Sequence, residues 1–331
     1  MAQVWSVDIL GGFAYSDELS DTLRTDLQPV VRFRQLCDAA DAMDKGLNAG
    51  EFYNWNVYSD VGRRGRALDE QLEMPTTNFQ IRQGQLRIGE MGNSVKYTGK
   101  LNNLSKQPIT EIIRKVLKHD AKKALDAAAH AQFDLTPLTV APTSGNSATA
   151  VTFQTTGCDI TNGIAMRAAH IKAISDGMKE RNIPAFAGDD YYALSWPTTT
   201  RAFKNDYEAL KQYHGEGFGY IMNGETGRYE GIRFGEQTLI PKGGAVDSTT
   251  WSSEDGVADA WNGGVSDWAF FMGEDTVMEA VAIPEEIRGK LPGDFGRSRG
   301  VAWYYLGGFG IVHGSASDAK NIRIVKWESA A

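Results

Sequence analysis

Asp126 and His130 stand one helical turn apart, a spacing at which a carboxylate and an imidazole can share a proton or a metal ion. The stretch around them is rich in alanine, and there a local ion pair accounts for the two better than a site does. The other histidines, His119, His170, His214 and His313, form no HExxH pair and no Cys/His cluster. Asp189–Asp190 and Glu285–Glu286 are adjacent carboxylates; strand neighbours point to opposite faces, which argues against a paired acid and base. Cys37 and Cys158 have no CxxC or zinc spacing and read as buried free thiols of a reducing compartment. No GxxxxGK[ST] phosphate loop and no GxSxG elbow occurs. Gly215-Glu216-Gly217-Phe218-Gly219 follows a helix instead of opening one, so it reads as a turn and not as a dinucleotide site. The residues thus predict no catalytic, cofactor-binding or metal site, and no enzyme. One basic constellation remains: Arg63, Arg64 and Arg66 in the glycine-punctuated turn Asp60–Arg66. Their guanidinium groups could clamp phosphate or carboxylate. A solvated loop tip and an ion-pair contact to a neighbouring subunit both fit.

The elements around these residues are unusual. Residues 51–58 and 78–98 read as two limbs of an extended β-hairpin arm over about 48–100, with too few consecutive apolar residues to bury a core. A lone two-stranded ribbon is marginal in water, so the arm needs a surface to lie on, and another copy of the chain is the natural one. From Leu104 to Phe133 the periodicity predicts one long helix, with Ile109, Ile112, Ile113, Val116, Leu117, Ala121, Ala124, Leu125, Ala128 and Gln132 along one face. About 26 residues at ~1.5 Å each make a rod of roughly 39 Å. Arg114, Lys115, Lys118, Lys122 and Lys123 occupy the opposite face, and Pro108 suits the first turn.

Before the arm, Leu19, Leu23 and Leu27 suggest a short helix that Pro29 ends, followed by Val30, Val31, Phe33 and Leu36; such a segment stays ordered only if tied down. After the long helix, Val151-Thr152-Phe153-Gln154 reads as strand. A helix over 162–181 with Thr161 as its cap, a strand Tyr191–Trp196 and a helix over about 200–214 describe a compact α/β unit. Residues 243–264 are Gly, Ser, Thr, Asp and Ala and read as a variable loop. Strands are predicted at 268–272, 276–283, 301–306, 310–313 and 322–327.

With 331 residues, 42% hydrophobic and 23% charged, the chain has the composition of a globular protein of about two domains. No stretch approaches a membrane-spanning helix, and residues 1–10 do not resemble a secretion signal. The net charge of −8 lacks the basic balance of a nucleic-acid-binding protein, but it suits a wall that encloses a polyanion without sticking to it as well as it suits ordinary solubility.

Four stretches carry a family resemblance. They are Gly89–Thr98 leading into the long helix, Lys118-His119-Asp120-Ala121 within it, Asn223–Phe234 with its close glycines, and Phe295-Gly296-Arg297 followed by Val301–Tyr304 and Gly307–Gly310. In this order, across about 17–327, the sequence resembles the Hong Kong 97-type major capsid protein of tailed double-stranded-DNA bacteriophages, a fold shared by encapsulin nanocompartments. Its detailed text is most similar to the subfamily typified by the coat of coliphage N-four.

The resemblance implies an α+β, HK97-like phage capsid fold. Its parts would be an N-terminal arm (1–45), an extended hairpin loop (46–100), a peripheral domain with a spine helix (101–160), an axial domain (161–264), and strands returning through both (265–331). It implies self-assembly into hexamers and pentamers of an icosahedral head that encloses DNA without sequence-specific binding. Assembly would occur in the host cytoplasm, and the chain would end in the virion. Nothing upstream of Met1 resembles a fused scaffold, which implies a separate scaffolding protein or none; portal and decoration proteins are further possible partners. Glycine turns at 223–231 and 307–310 would allow tight bends. The expected subunit-interface residues are Leu19, Leu23 and Phe33 in the arm, Phe52 and Trp55 on the ribbon, and Arg63, Arg64 and Arg66 at its tip. The alternatives are an encapsulin shell, disfavoured by Pro29 where a cargo-covering helix would lie, and a cytosolic α/β enzyme.

Overall fold

The structure is a computed structural model that describes residues 30–41, 50–58, 65–68, 70, 73–155, 163–211, 227–240, 267–315 and 320–329. Leu19, Leu23, Arg63, Arg64, Thr161, Cys158, His214 and the 243–264 stretch lie outside these residues.

In chain order, a 3-10 turn at Arg34–Leu36 leads into β1 (Asp38–Asp41). Strands β2 (Phe52–Tyr58), β3 (Ile81–Arg87) and β4 (Gly89–Thr98) precede α1 (Gly99–Leu104) and α2 (Ile109–Asp134). Then come β5 (Thr139–Pro142), β6 (Val151–Gln154), α3 (Ala168–Glu180), β7 (Tyr191–Ser195), α4 (Arg201–Lys211), β8 (Arg228–Tyr229) and β9 (Ile232–Glu236). Strands β10 (Asp267–Met272), β11 (Val277–Gly289), β12 (Ser298–Ile311) and β13 (Ile324–Ser329) complete the order. They form a four-stranded sheet β1-β11-β12-β4, a seven-stranded sheet β6-β5-β13-β10-β7-β9-β8, and the two-stranded ribbon β2-β3. The expected α+β class holds.

The long helix starts at Ile109, with the Pro108 carbonyl accepting from the Glu111 and Ile112 amides. Its buried stripe is a strict every-fourth row, Ile109, Ile113, Leu117, Ala121, Leu125, Ala129 and Phe133, joined by Asp126 and His130. Such a row is inclined to the helix axis, so the buried face winds round the rod and Val116, expected inside, is 55% exposed. The row packs on Val301, Trp303 and Tyr305 of β12 and on Tyr97 and Leu101. A second core lies under α3 and α4, where Ile171, Ile174, Met178 and Phe203 meet Ala193, Phe271, Val325 and Trp327.

Three expectations need correction. The limb read over 78–98 is divided at Ile88: β3 pairs with β2, whereas β4 pairs with β12 from Gly89–Gly307 to Thr98–Ser298 and belongs to the sheet. Strands 301–306 and 310–313 are one strand through Gly307–Gly310, so that stretch is no turn. The helix expected from 162 begins at Ala168, where the Arg167 amide donates to His170 Nδ1 (3.0 Å) and Nε2 contacts the Thr143 carbonyl (2.8 Å). With Nδ1 accepting, Nε2 carries the proton and donates.

Candidate subunit interface

The N-terminal segment is held by buried charge. Asp126 on α2 accepts the Arg34 amide (3.0 Å), which closes the backbone of the 3-10 turn against the helix. Arg34 donates from Nε to Glu279 of β11 (3.0 Å) and through both terminal nitrogens to the two Glu285 oxygens (2.9 and 3.0 Å). Tyr305 Oη donates to the same Glu279 oxygen, Oε1 (3.0 Å). Burial opposes the charge on Arg34, but the hydrogen bonds to Glu285 and Glu279 outweigh it and hold the guanidinium above its usual range. The same pairing holds Glu285 below the ordinary carboxylate range. Burial and the Glu279 charge push the Tyr305 phenol up. Burial, with help from the nearby carboxylates, likewise raises the Cys37 thiol, leaving it protonated and inert. Val30 is tied separately, exchanging two hydrogen bonds with Thr238 after β9.

This geometry corrects the expectation for Phe33. Its ring is 0% exposed and sits among His130, Phe133, Trp268 and Phe270 at centroid distances of 4.9 to 5.8 Å. A side chain enclosed by its own chain has no area left for a neighbour, so Phe33 anchors the arm. It also corrects the reading of Asp126 and His130 as a local ion pair, because each is engaged with the arm. Desolvation raises Asp126 to about 6, although the arm's backbone amides counter it, and lowers His130 to about 4. The sequence signal was the spacing itself; what each residue would face lay some 95 positions upstream.

The ribbon has two unlike faces. On β2 exposure alternates, with Tyr53, Trp55 and Val57 turned in and Phe52, Asn54, Asn56 and Tyr58 turned out. Trp55 and Leu86 on the inner face lie on Met278, Ala280, Ala282 and Leu306 of the four-stranded sheet. Contact is close enough to require glycine: a Cβ at Gly308 would strike the Arg87 carbonyl, and one at Gly310 would lie 2.7 Å from Leu86 Cβ. Gly84 likewise leaves room for the Trp55 indole. Phe52 and Trp55, expected together at the interface, therefore part company, because an offset of three puts them on opposite faces. Trp55 packs within its own chain, while Phe52 is 51% exposed. Along the outer face Tyr58 stands directly opposite Ile81, 79% and 63% exposed, with Phe79 beside them at 62%. Arg66 is exposed as well.

The adjacent carboxylates separate. In the turn before β7, Asp190 is buried between Arg228 (2.6 Å) and Arg233 (2.8 Å), while Asp189 is exposed; on β11, Glu286 pairs with Arg288 as Glu285 holds Arg34. Among the described residues no group of three or more His, Cys, Asp or Glu is placed to hold a metal ion, and no helix is long and apolar enough to cross a membrane. A residue without such a warning in the sequence is Asp120, which accepts from Trp303 Nε1 (2.7 Å) and Asn93 Nδ2 (3.0 Å) and so pins α2 to β12 and β4.

No known family model matches the chain, and no curated protein matches its sequence. Solved structures do match it nearly end to end. The capsid of cyanophage P-SCSP1u superposes with a TM-score of 0.67 at 9% identity, covering 95% of this chain and 92% of that one. The acid-stable capsid of Helicobacter pylori bacteriophage KHP30 gives 0.65 at 13% identity, covering 95% of both chains. The capsid of Ralstonia phage GP4 gives 0.63 at 12%, covering 98% of both. The fold is therefore that of phage capsid subunits, the HK97-like architecture expected from the sequence.

Proposed function

We propose that the chain is the major capsid protein of a tailed double-stranded-DNA bacteriophage, a shell subunit and not an enzyme. The observation that carries this reading is the match of nearly the whole chain to phage capsid subunits, with no extra domain among the described residues to do other work. The ribbon supports it, because a row of exposed aromatic and aliphatic side chains on its uncovered face needs a second surface to cover it. Phe52, with Tyr58, Phe79 and Ile81, would lie on the adjoining subunit, and Arg63, Arg64 and Arg66 would pair with acidic groups there. Leu19 and Leu23 would contact a neighbouring subunit.

In this reading the subunits form hexamers and pentamers of an icosahedral head that encloses DNA without reading its sequence. Scaffolding, portal and decoration proteins are possible partners. The division into arm, hairpin loop, peripheral domain, axial domain and returning strands, and the kinship with the coliphage N-four coat, belong to the same proposal. Repetition of one heterologous contact closes rings, and many modest contacts sum over a closed shell. The test is negative-stain electron microscopy of the full chain produced alone and together with the adjacent phage head proteins. Closed shells in either case are expected; small oligomers in both would overturn the proposal.

A further inference from the structure

Alternation along β11 and β12 sends Val277, Val301, Trp303 and Tyr305 to α2, and Met278, Ala280, Ala282 and Leu306 to the ribbon. The helix, the sheet and the ribbon are thus three successive layers, and the outward face of α2 is the side opposite the ribbon. That face carries Arg114, Lys115, Lys118 and Lys122, all exposed, within about 12 Å of helix length. None of the four makes an ion pair among the described residues. The carboxylates of the same helix are mostly engaged elsewhere: Asp120 holds Trp303, Asp126 holds the arm, and Asp134 pairs with Lys326 (2.6 Å). Glu111 alone shares the exposed face. In a chain of net charge −8 this segregation makes a strip of cations that no described carboxylate pairs.

We infer that this strip contacts the phosphate backbone of duplex nucleic acid; its inward placement in a closed shell rests on the capsid reading. Lysine is depleted at the cores of protein interfaces, and the strip has no aromatic anchor, with only Val116 as a large exposed apolar residue beside it. Flexible cationic stems without hydrogen-bonding selectivity suit sequence-independent contact with a rod that presents one charge per about 1.7 Å. Such contacts place the DNA without reading it.

The test uses the full chain as unassembled subunits, separated from any shells by size exclusion, and a labelled random-sequence DNA duplex of about 24 base pairs, followed by fluorescence anisotropy from about 20 to 200 mM salt. Four phosphate contacts predict log K falling with log salt at a slope of about −3.6. Replacing Arg114, Lys115, Lys118 and Lys122 by Gln should flatten that slope to near zero and weaken binding at low salt at least about tenfold. All four side chains are exposed, so an unchanged melting curve shows that the variant is folded. No duplex binding by the wild-type chain at low salt, or equal binding by the variant, overturns the inference. Loss of shells in the variant with duplex binding unchanged would assign the strip to a second copy of the chain, and also overturns it. A wild-type chain that binds the duplex through these residues but never forms shells sinks the capsid reading and the inward placement, and leaves the phosphate contact standing.

Discussion

At the scale of single residues, Asp126 and His130 carry opposite pH dependences within one turn of helix. The carboxyl titrates near 6 when folded against about 3.9 unfolded, so the folded chain binds its proton first, and this contribution stabilises the fold as pH falls from 6 to 4. The imidazole titrates near 4 when folded against about 6.5 unfolded, so the unfolded chain is protonated first, and this contribution is lost over nearly the same window. Each is on the order of 3 kcal/mol, and they nearly cancel. Asp134 and Lys326 near His130, and Arg34 near Asp126, adjust both without changing either sign. Asp126→Asn keeps an acceptor for the Arg34 amide but removes the stabilising half, so its urea midpoint should fall from pH 6 to 4.5. His130→Gln should show the reverse. Identical pH slopes in both variants and the wild type would refute the assignment.

At the scale of elements, the junction of ribbon and sheet is the most exacting contact. Gly307–Gly310 read naturally as a turn, since glycines in series usually mark one. The strand runs straight through them because the ribbon crosses there, and side chains at 308 and 310 would occupy the space of Arg87 and Leu86. Gly308→Ala should therefore lift β2 and β3 from the sheet at a cost of about 1–3 kcal/mol, the usual range for overpacking. Hydrogen exchange would show faster amides in 52–58 and 81–87 with α2 unchanged. Uniform loss of protection would mean instead that the glycine supports the whole sheet. The long helix was legible from its periodicity, and its ends were met within a few residues. Which side of the i, i+3, i+4 face would be buried was not, because that depends on the angle at which the sheet crosses the rod.

At the scale of the molecule, an arm anchored by Phe33 and Arg34, a ribbon with one covered and one bare face, and a helix with a cationic outer face suit the shell subunit proposed above. Phe79 and Ile81 lie on the bare face and touch no core, so changing both to Asp should shift the stability of the isolated subunit by no more than about 0.5 kcal/mol. The same variant should form no shells under conditions where the wild type does, as judged by electron microscopy and sedimentation. Normal shells from it would remove the ribbon's outer face from the interface.

The sequence alone determined the periodic elements, the order of arm, ribbon, long helix and returning strands, and the want of any motif for catalysis, because these are set by local spacing and residue type. Only the tertiary structure decided that Phe33 is core, that Trp55 turns inward while Phe52 turns out, and that Asp126 holds the arm. It also joined Arg34 to Glu279 and Glu285 across some 250 positions of chain. Those assignments depend on which distant surface each side chain meets, and burial, charge pairing and the need for glycine exist only once the layers are stacked.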